Sequence, residues 1–451
     1  MNITLQVKSK YVNEIEYISK VFFSEIVGVS FVIDFRDDLE FNTIILPSGK
    51  KIYFPNIFFD DYYLNGRLPE SVQYLKSEYL SEKVPIFFGL PSVDKIDKGF
   101  KFGFDILGTC FFLLTCYEEF VNKKRDCYGR FLHAYSCSNK LKYVEYPIVD
   151  QFAYLIRCIL IEDGLNISTK SGSLNITCDV DWPYDNRLSS LKITLRTVAY
   201  LLIKKKRLRC AINLVSSFIK KRVGWSYQDE YRNAVTFIME QCETLNKKGL
   251  FYFIPKKTHS LDTDQTLLSQ DANELLNEIH SRGHLIGCHP GFLCSEKTRE
   301  MLNSYNIFYS ELRRICGEGI VHNRNHFLKW DINSTARELN DQGVDFDSTL
   351  GFSDHIGFRC GTAYDFTMFD LKNREMLKIK QRPLIIMDAS VFHTSYQYLD
   401  YSVNTEVYLK EIVNRALRYG GNCTLLWHNT HLLSDEDRNM YKSIIMREEL
   451  C

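Results

Sequence analysis

An α/β architecture built on a parallel sheet or barrel, preceded by a smaller α+β domain, is the fold class the sequence predicts. Three observations carry that reading. From residue 173 onward, short apolar strands alternate with helical stretches over about 270 residues, as in a parallel α/β sheet or barrel. Residues 1–165 instead mix helix and strand signals without that alternation. Ten of the eleven histidines lie between 259 and 431, in the alternating half, and in such folds chemistry gathers at the carboxyl ends of strands.

The elements follow in order. Segment 11–27 places Ile15, Ile18, Val21, Phe22 and Ile26 at helical spacing, 104–120 is a strongly apolar helix, and 147–161 is another. The polar, turn-rich run 163–173 marks a boundary between an N-terminal domain over 1–165 and a second domain over 173–451. Beyond it, strands are expected over 174–180, 250–254, 284–288, 384–388 and 423–427. Helices are expected over 231–247, 271–282, 334–342 and 405–419.

With 451 residues, 45 % hydrophobic and 14 % aromatic, the chain is too apolar for a disordered protein and long enough for two or three cores. Lys plus Arg equals Asp plus Glu at 56 each, so no global field draws it to nucleic acid. Fourteen cysteines are scattered with no C-x-x-C pair, which excludes a cysteine zinc finger and predicts thiols in a reducing, cytoplasmic setting. The N-terminus has no charged n-region followed by an apolar h-region, which predicts no signal peptide. Apolar runs such as 106–116 fall short of a bilayer span.

One local patch departs from this neutral background. Between 186 and 228 there is no acidic residue, while Arg187, Lys192, Arg196, Lys204, Lys205, Lys206, Arg207, Arg209, Lys220, Lys221 and Arg222 are basic. Leu188, Leu191, Ile193, Leu195, Val198, Leu201 and Leu202 interleave with them at roughly helical spacing. Such a stretch suits peripheral contact with an anionic membrane or a phosphorylated ligand; a solvated insertion is the alternative.

The sharpest chemical signal is Asn175-Ile-Thr-Cys-Asp179-Val-Asp181-Trp-Pro183. An apolar strand ends in two aspartates at i and i+2, which strand periodicity puts on one side. Neighbouring carboxylates repel unless a cation or proton lies between them, so the pair suits a metal ligand beside a general base, or a loop with capping aspartates. A second strand runs into Gly283-His-Leu-Ile-Gly287-Cys-His289-Pro-Gly291, with His289 at its tip. A third, Thr424-Leu-Leu-Trp427-His428-Asn-Thr-His431, delivers His428. Asp-x-Asp, His and His on three strand tips point to one site rather than three structural residues.

Thr177-Cys-Asp179-Val-Asp181, Gly283-His-Leu-Ile-Gly-Cys-His289, Arg324-Asn-His326-Phe, Phe346-Asp347-Ser-Thr-Leu350 and Leu426-Trp-His428-Asn occur in the order of the NodB-type polysaccharide deacetylase motifs, which the chain resembles over about 173–433. The run Phe104-Asp-Ile-Leu, Tyr117-Glu-Glu-Phe, Gly129-Arg-Phe and Pro147-Ile-Val-Asp150, with Gly357-Phe-Arg359-Cys-Gly361-Thr downstream, is similar to a subgroup carrying an extra N-terminal domain of unknown function. The resemblance implies a distorted (β/α) barrel and a metal-dependent carbohydrate de-N-acetylase using Zn2+ or another divalent transition metal. Its substrate would be an N-acetylated sugar, a polysaccharide or a nucleotide- or lipid-linked glycan in bacterial surface-polysaccharide metabolism.

Carried over, Asp179 would be the base, Asp181 and His289 metal ligands, Arg324 the arginine orienting the base, and His428 the general acid. The common family form has a second metal histidine four residues after the first, but position 293 is leucine. His326, where the family usually has proline, is the expected third ligand; His322, His355 and His393 are less favoured. Leu293 also leaves room for a carbohydrate-binding pseudoenzyme, and the fold for an amidase or esterase of a non-sugar acyl group. Trp182 and Trp427 flank the site and would stack on a sugar or pack in the core. Arg359 would bind an anionic sugar, a phosphate or a structural carboxylate. Asp347 reads as a turn or cap.

Overall fold

A computed structural model describes residues 2–168, 171–204, 206–317 and 319–446. Lys205 of the basic patch lies outside the described residues. The chain is mixed α/β and divides into two compact units that do not follow chain order. The first holds residues 1–174, 327–398 and 411–424; the second holds 175–326, 399–410 and 425–451.

In the first unit a mixed six-stranded sheet runs in the order Phe31–Arg36, Ile3–Lys8, Asn42–Ile45, Lys51–Phe54, Gly99–Phe104, Gly89–Ile96. The expected helix over 11–27 is an α-helix, Val12–Ser19, that widens into π-helical turns over Lys20–Val27 and closes on the left-handed Gly28. The apolar helix expected over 104–120 is Ile106–Leu114, capped by buried Asp105, whose carboxylate accepts from the Gly108 amide at 2.8 Å. It breaks at Cys116, which takes φ 50°, before Tyr117–Val121 resumes. The third, Ile148–Glu162, is amphipathic and buries Phe152, Leu155, Ile156 and Ile159.

The downstream run 357–362 packs on this same N-terminal segment. Arg359 is buried, and its Nε and Nη2 donate to Glu119 Oε1 at 3.0 and 2.6 Å while Nη1 donates to the Gly351 carbonyl at 2.8 Å. Thr362 Oγ1 bonds the buried Asp150 carboxylate, and Val149 N donates to Gly361 O at 2.9 Å. Gly357 has φ 126°, and a Cβ there would meet the Val144 carbonyl oxygen at 2.6 Å, so only glycine makes this approach. Asp347 accepts from Thr349 N and Oγ1 at 2.9 and 2.6 Å, which is a local turn cap.

In the second unit the strands His322–Asn323, Leu285–Cys288, Leu250–Phe253 and Leu174–Val180 pair in that order, all parallel. The last two residues of the strand Cys423–Leu426 also belong here, and the Thr177 hydroxyl donates to the Leu425 carbonyl at 2.9 Å. Helices Glu230–Thr244, Gln270–Ser281 and Thr298–Cys316 connect these strands. The strands are buried because helices cover a parallel sheet, and they accordingly read as continuous apolar runs. Their parallel course brings several carboxyl ends to one edge, which positions the site.

Every described cysteine carries a free thiol. No described helix is long and apolar enough to cross a membrane.

Candidate metal centre

The strand Leu174–Val180 delivers Asp179 near its end and Asp181 just beyond. Tyr252 lies opposite Asp179 in the ladder, and Gly287 lies opposite Tyr252. A Cβ at 287 would sit 2.4 Å from the Tyr252 ring, so glycine leaves that ring its space. The ring in turn lies 4.4 Å from the guanidinium carbon of Arg324, a cation–π contact. Arg324 is wholly buried; its Nη1 donates to Asp179 Oδ1 at 2.8 Å and to Thr177 Oγ1 at 2.9 Å. Thr177 and Asp179 are two residues apart and face one side, as strand geometry requires. The second carboxylate oxygen of Asp179 lies 3.7 Å from His289 Nε2.

His289 follows the strand Leu285–Cys288, and its amide continues the ladder by donating to Phe253 O at 2.9 Å. Its Nδ1 lies 2.5 Å from the Arg324 carbonyl, so that nitrogen carries the hydrogen. His326 Nδ1 lies 2.7 Å from Asp262 Oδ1, which fixes the same tautomer. With Nδ1 engaged in each ring, Nε2 is the nitrogen left to act as a ligand, and it faces Asp181 Oδ1, at 3.5 Å from His289 and 3.7 Å from His326. One donor atom from each of the three residues lies within 4.8 Å of the others. Asp181 Oδ1 is itself buried with no hydrogen-bond donor among the described residues. Three electron-rich atoms facing inward, with both imidazoles oriented from behind by oxygen acceptors, are the donor set of a divalent transition metal. The residues fit such an ion.

Asp262 was not anticipated. It lies in the polar loop after Leu250–Phe253, with no periodic pattern around it. Its Oδ2 accepts from Thr258 N and Oγ1 and His259 N at 2.8, 2.7 and 2.9 Å, and its Oδ1 accepts from Phe292 N at 2.9 Å besides His326. Burial pushes its pKa up, but those hydrogen bonds, led by His326, outweigh it and hold the carboxyl well below its ordinary range. A Cβ on Gly291 would lie 2.7 Å from Asp262 Oδ2, so the Pro290-Gly291 turn also depends on this packing.

The other expected residues divide. His428, half-buried, brings Nε2 to 3.9 Å from Asp181 Oδ2. Trp182 is half-exposed beside Asp181, and its carbonyl accepts from Asn429 Nδ2 at 2.8 Å. Trp427 is wholly buried, with its ring edge-on to Tyr441 at 5.3 Å, so of its two expected uses the structure shows core packing and not a sugar platform. Arg359 has its donors on Glu119 and Gly351; of its alternatives the structure shows the structural carboxylate. His322 is buried in its strand, and His355 and His393 belong to the first unit.

Electrostatics favour a cation here. Burial raises the Asp181 pKa, but His289, His326 and His428 outweigh it and hold the carboxyl well below its usual range. For His289, burial lowers the pKa, yet the Asp179 and Asp181 charges prevail and raise it above its ordinary value. Below that raised pKa metal entry must displace a proton from His289. Affinity for zinc should fall as pH drops below the raised His289 pKa, by up to about tenfold per pH unit for one displaced proton. Chelator competition between about pH 8 and 6 checks this; a flat profile would rule out the displaced proton.

Residues 3–164 match a family of unknown function (DUF7033). No curated protein matches the chain. Among solved structures, the chain bears a weak similarity to a candidate polysaccharide deacetylase from Mycobacterium smegmatis, at 14 % identity and a TM-score of 0.38, over 62 % of this chain and 86 % of that one.

Proposed function

We propose that this centre belongs to a metal-dependent hydrolase that removes an N-acetyl group from a sugar. The observation that carries the reading is the convergence of Asp181, His289 and His326 beside the Arg324-held Asp179. The order of the five deacetylase-like motifs supports it from the sequence side. Asp181 Oδ1 and the Nε2 atoms of His289 and His326 would hold the ion, and His326 would do the work of the histidine absent at 293. A bound Zn2+ or similar ion supplies a water of lowered pKa and polarises the acetamide carbonyl.

The chain's own groups supply the proton transfers. Oδ1 of Asp179 is committed to Arg324, so Oδ2 is the atom that takes the proton of the attacking water. His428 stands at the rim and hands a proton to the departing nitrogen. Amide nitrogen leaves poorly unless protonated, which requires an acid separate from the base. Trp182 lies beside the site with part of its ring available to a sugar face. The substrate is an N-acetylated sugar of a polysaccharide or of a nucleotide- or lipid-linked glycan.

Asp179→Asn should lower acetate release from N-acetylglucosamine oligomers by about 10²–10⁴-fold while zinc content stays near that of the wild type. If the variant loses zinc as fully as Asp181→Ala, the assigned roles are wrong. Zinc-loaded wild type that binds these oligomers yet releases no acetate would instead establish a carbohydrate-binding pseudoenzyme.

A further inference from the structure

The expected basic insertion folds as a helical hairpin, Leu191–Ile203 and Leu208–Arg222. Its inner face is a small core of Leu188, Leu201, Cys210, Ala211 and Leu214, with Val198, Phe218 and Tyr227 packed against it. The outer face is also apolar. On the second helix Leu208, Ile212, Val215 and Ile219 repeat at i, i+4, i+7 and i+11 and are 63, 59, 37 and 53 % exposed. That spacing makes one continuous stripe along the helix. Leu191, Leu195 and Leu202 form a matching exposed row on the first helix, and Ile203 and Trp225 at the hairpin's two ends are 72 and 69 % exposed. A soluble surface scatters such residues singly; a contiguous patch marks a docking face.

Charge indicates the occupant. Arg187 pairs with Asp185 and Glu230, Arg207 with Asp437, and Arg209 with Asp435, so these three tie the hairpin to its own unit. Among the described residues Lys192, Arg196, Lys204, Lys206, Lys220, Lys221 and Arg222 face no carboxylate partner, and the hairpin contributes no acidic residue of its own. A protein partner or a second copy would have to supply carboxylates in register with apolar contacts, and this hairpin has none to offer its twin. A bilayer with anionic headgroups supplies negative charge above and hydrocarbon below without any register. We propose that this hairpin seats the protein on an anionic phospholipid surface.

The hairpin is rooted beside the candidate metal centre. Leu191 comes ten residues after Asp181, and the Asp229 carboxylate closes the root by accepting from Asp185 N at 3.1 and 3.0 Å. Asn429, next to His428, bonds the Trp182 and Tyr231 carbonyls on both sides of that root at 2.8 and 3.3 Å. If the deacetylase reading holds, on which this step rests, the acyl-sugar is carried on a membrane lipid.

Docking is tested without chemistry, by sedimenting the full chain with phosphatidylcholine vesicles and with phosphatidylcholine–phosphatidylglycerol vesicles at rising salt. The expected result is binding to the anionic vesicles only, weakened by salt. Lys192→Gln, Arg196→Gln, Lys204→Gln and Lys206→Gln together should weaken it on the order of a thousandfold. Leu208→Ser, Ile212→Ser, Val215→Ser and Ile219→Ser together should abolish it even at low salt; these side chains are exposed, so circular dichroism should show an unchanged fold. Absence of binding to anionic vesicles overturns the proposal. So does a wild-type dimer, by sedimentation velocity, that the four serines make monomeric while vesicle binding stays unchanged. Vesicle binding with no acetate release from any N-acetyl sugar leaves the docking intact and removes only the lipid-borne substrate.

Discussion

His326→Ala should lower zinc affinity by more than about a hundredfold, because removing a ligand must exceed the 10–100-fold that its supporting partners are worth. Two remaining protein donors, Asp181 and His289, give an ion little chelate advantage. Asp262→Asn isolates the support from the ligand. It keeps an oxygen for the Thr258 and His259 donors but sets an amide NH2 in place of the oxygen that accepts from Phe292 N and His326 Nδ1, so the acceptor that orients His326 is lost. Its affinity should fall about 10–100-fold, between wild type and His326→Ala. Competition against a chromophoric chelator measures both. Equal affinity of wild type and His326→Ala would remove His326 from the ligand set, and an unchanged Asp262→Asn would show that the ring needs no carboxylate behind it.

Arg324→Met should destabilise the fold by roughly 3–5 kcal/mol, the usual penalty for deleting one partner of a buried ion pair. Arg324 is wholly buried between the Tyr252 ring and the Asp179 carboxylate, and methionine fills comparable space without a donor. The Asp179 carboxylate would lose its guanidinium partner and keep only His289, at 3.7 Å, beside it. The double variant Arg324→Met with Asp179→Leu should recover much of the loss, since neither charge then remains. Urea unfolding of the three proteins checks this. An Arg324→Met midpoint equal to wild type would show that Asp179 does not depend on the guanidinium.

Much of the second unit was legible because its physics is local. The strand Leu174–Val180 has the expected bounds, and the strands beginning at Leu250 and Leu285 differ from expectation by one residue at one end. Asp179, Asp181, His289 and His428 stand at strand tips, where sequence spacing alone brings them to one edge. Trp427 reads from the sequence either as a sugar platform or as core packing; strand alternation, which puts it opposite His428, is the signal that separates the two, and it packs on the helix Asp435–Ile445 through Tyr441. Asp262 was not legible, because its loop has no period and its bonds to Phe292 and His326 arise only when the strand tips meet. Arg359 finds Glu119 across 240 positions, a pairing that spacing cannot disclose. The π-helical turns over Lys20–Val27 preserve the apolar face that predicted a helix while altering its winding.

The three candidate ligands come from separate strand tips, His289 standing 108 positions after Asp181 and His326 a further 37 on. Two histidines four residues apart would form a local chelate that an unfolded chain partly retains. Asp181, His289 and His326 share no such fragment, so a denatured chain offers only isolated, weak donors. Metal binding there would be almost wholly a property of the native state, and the linkage undiluted: at a thousandfold excess over Kd a bound ion would contribute about 4 kcal/mol to stability. Occupancy of the centre would count folded molecules directly, and starving the protein of metal would lower its abundance as well as its activity.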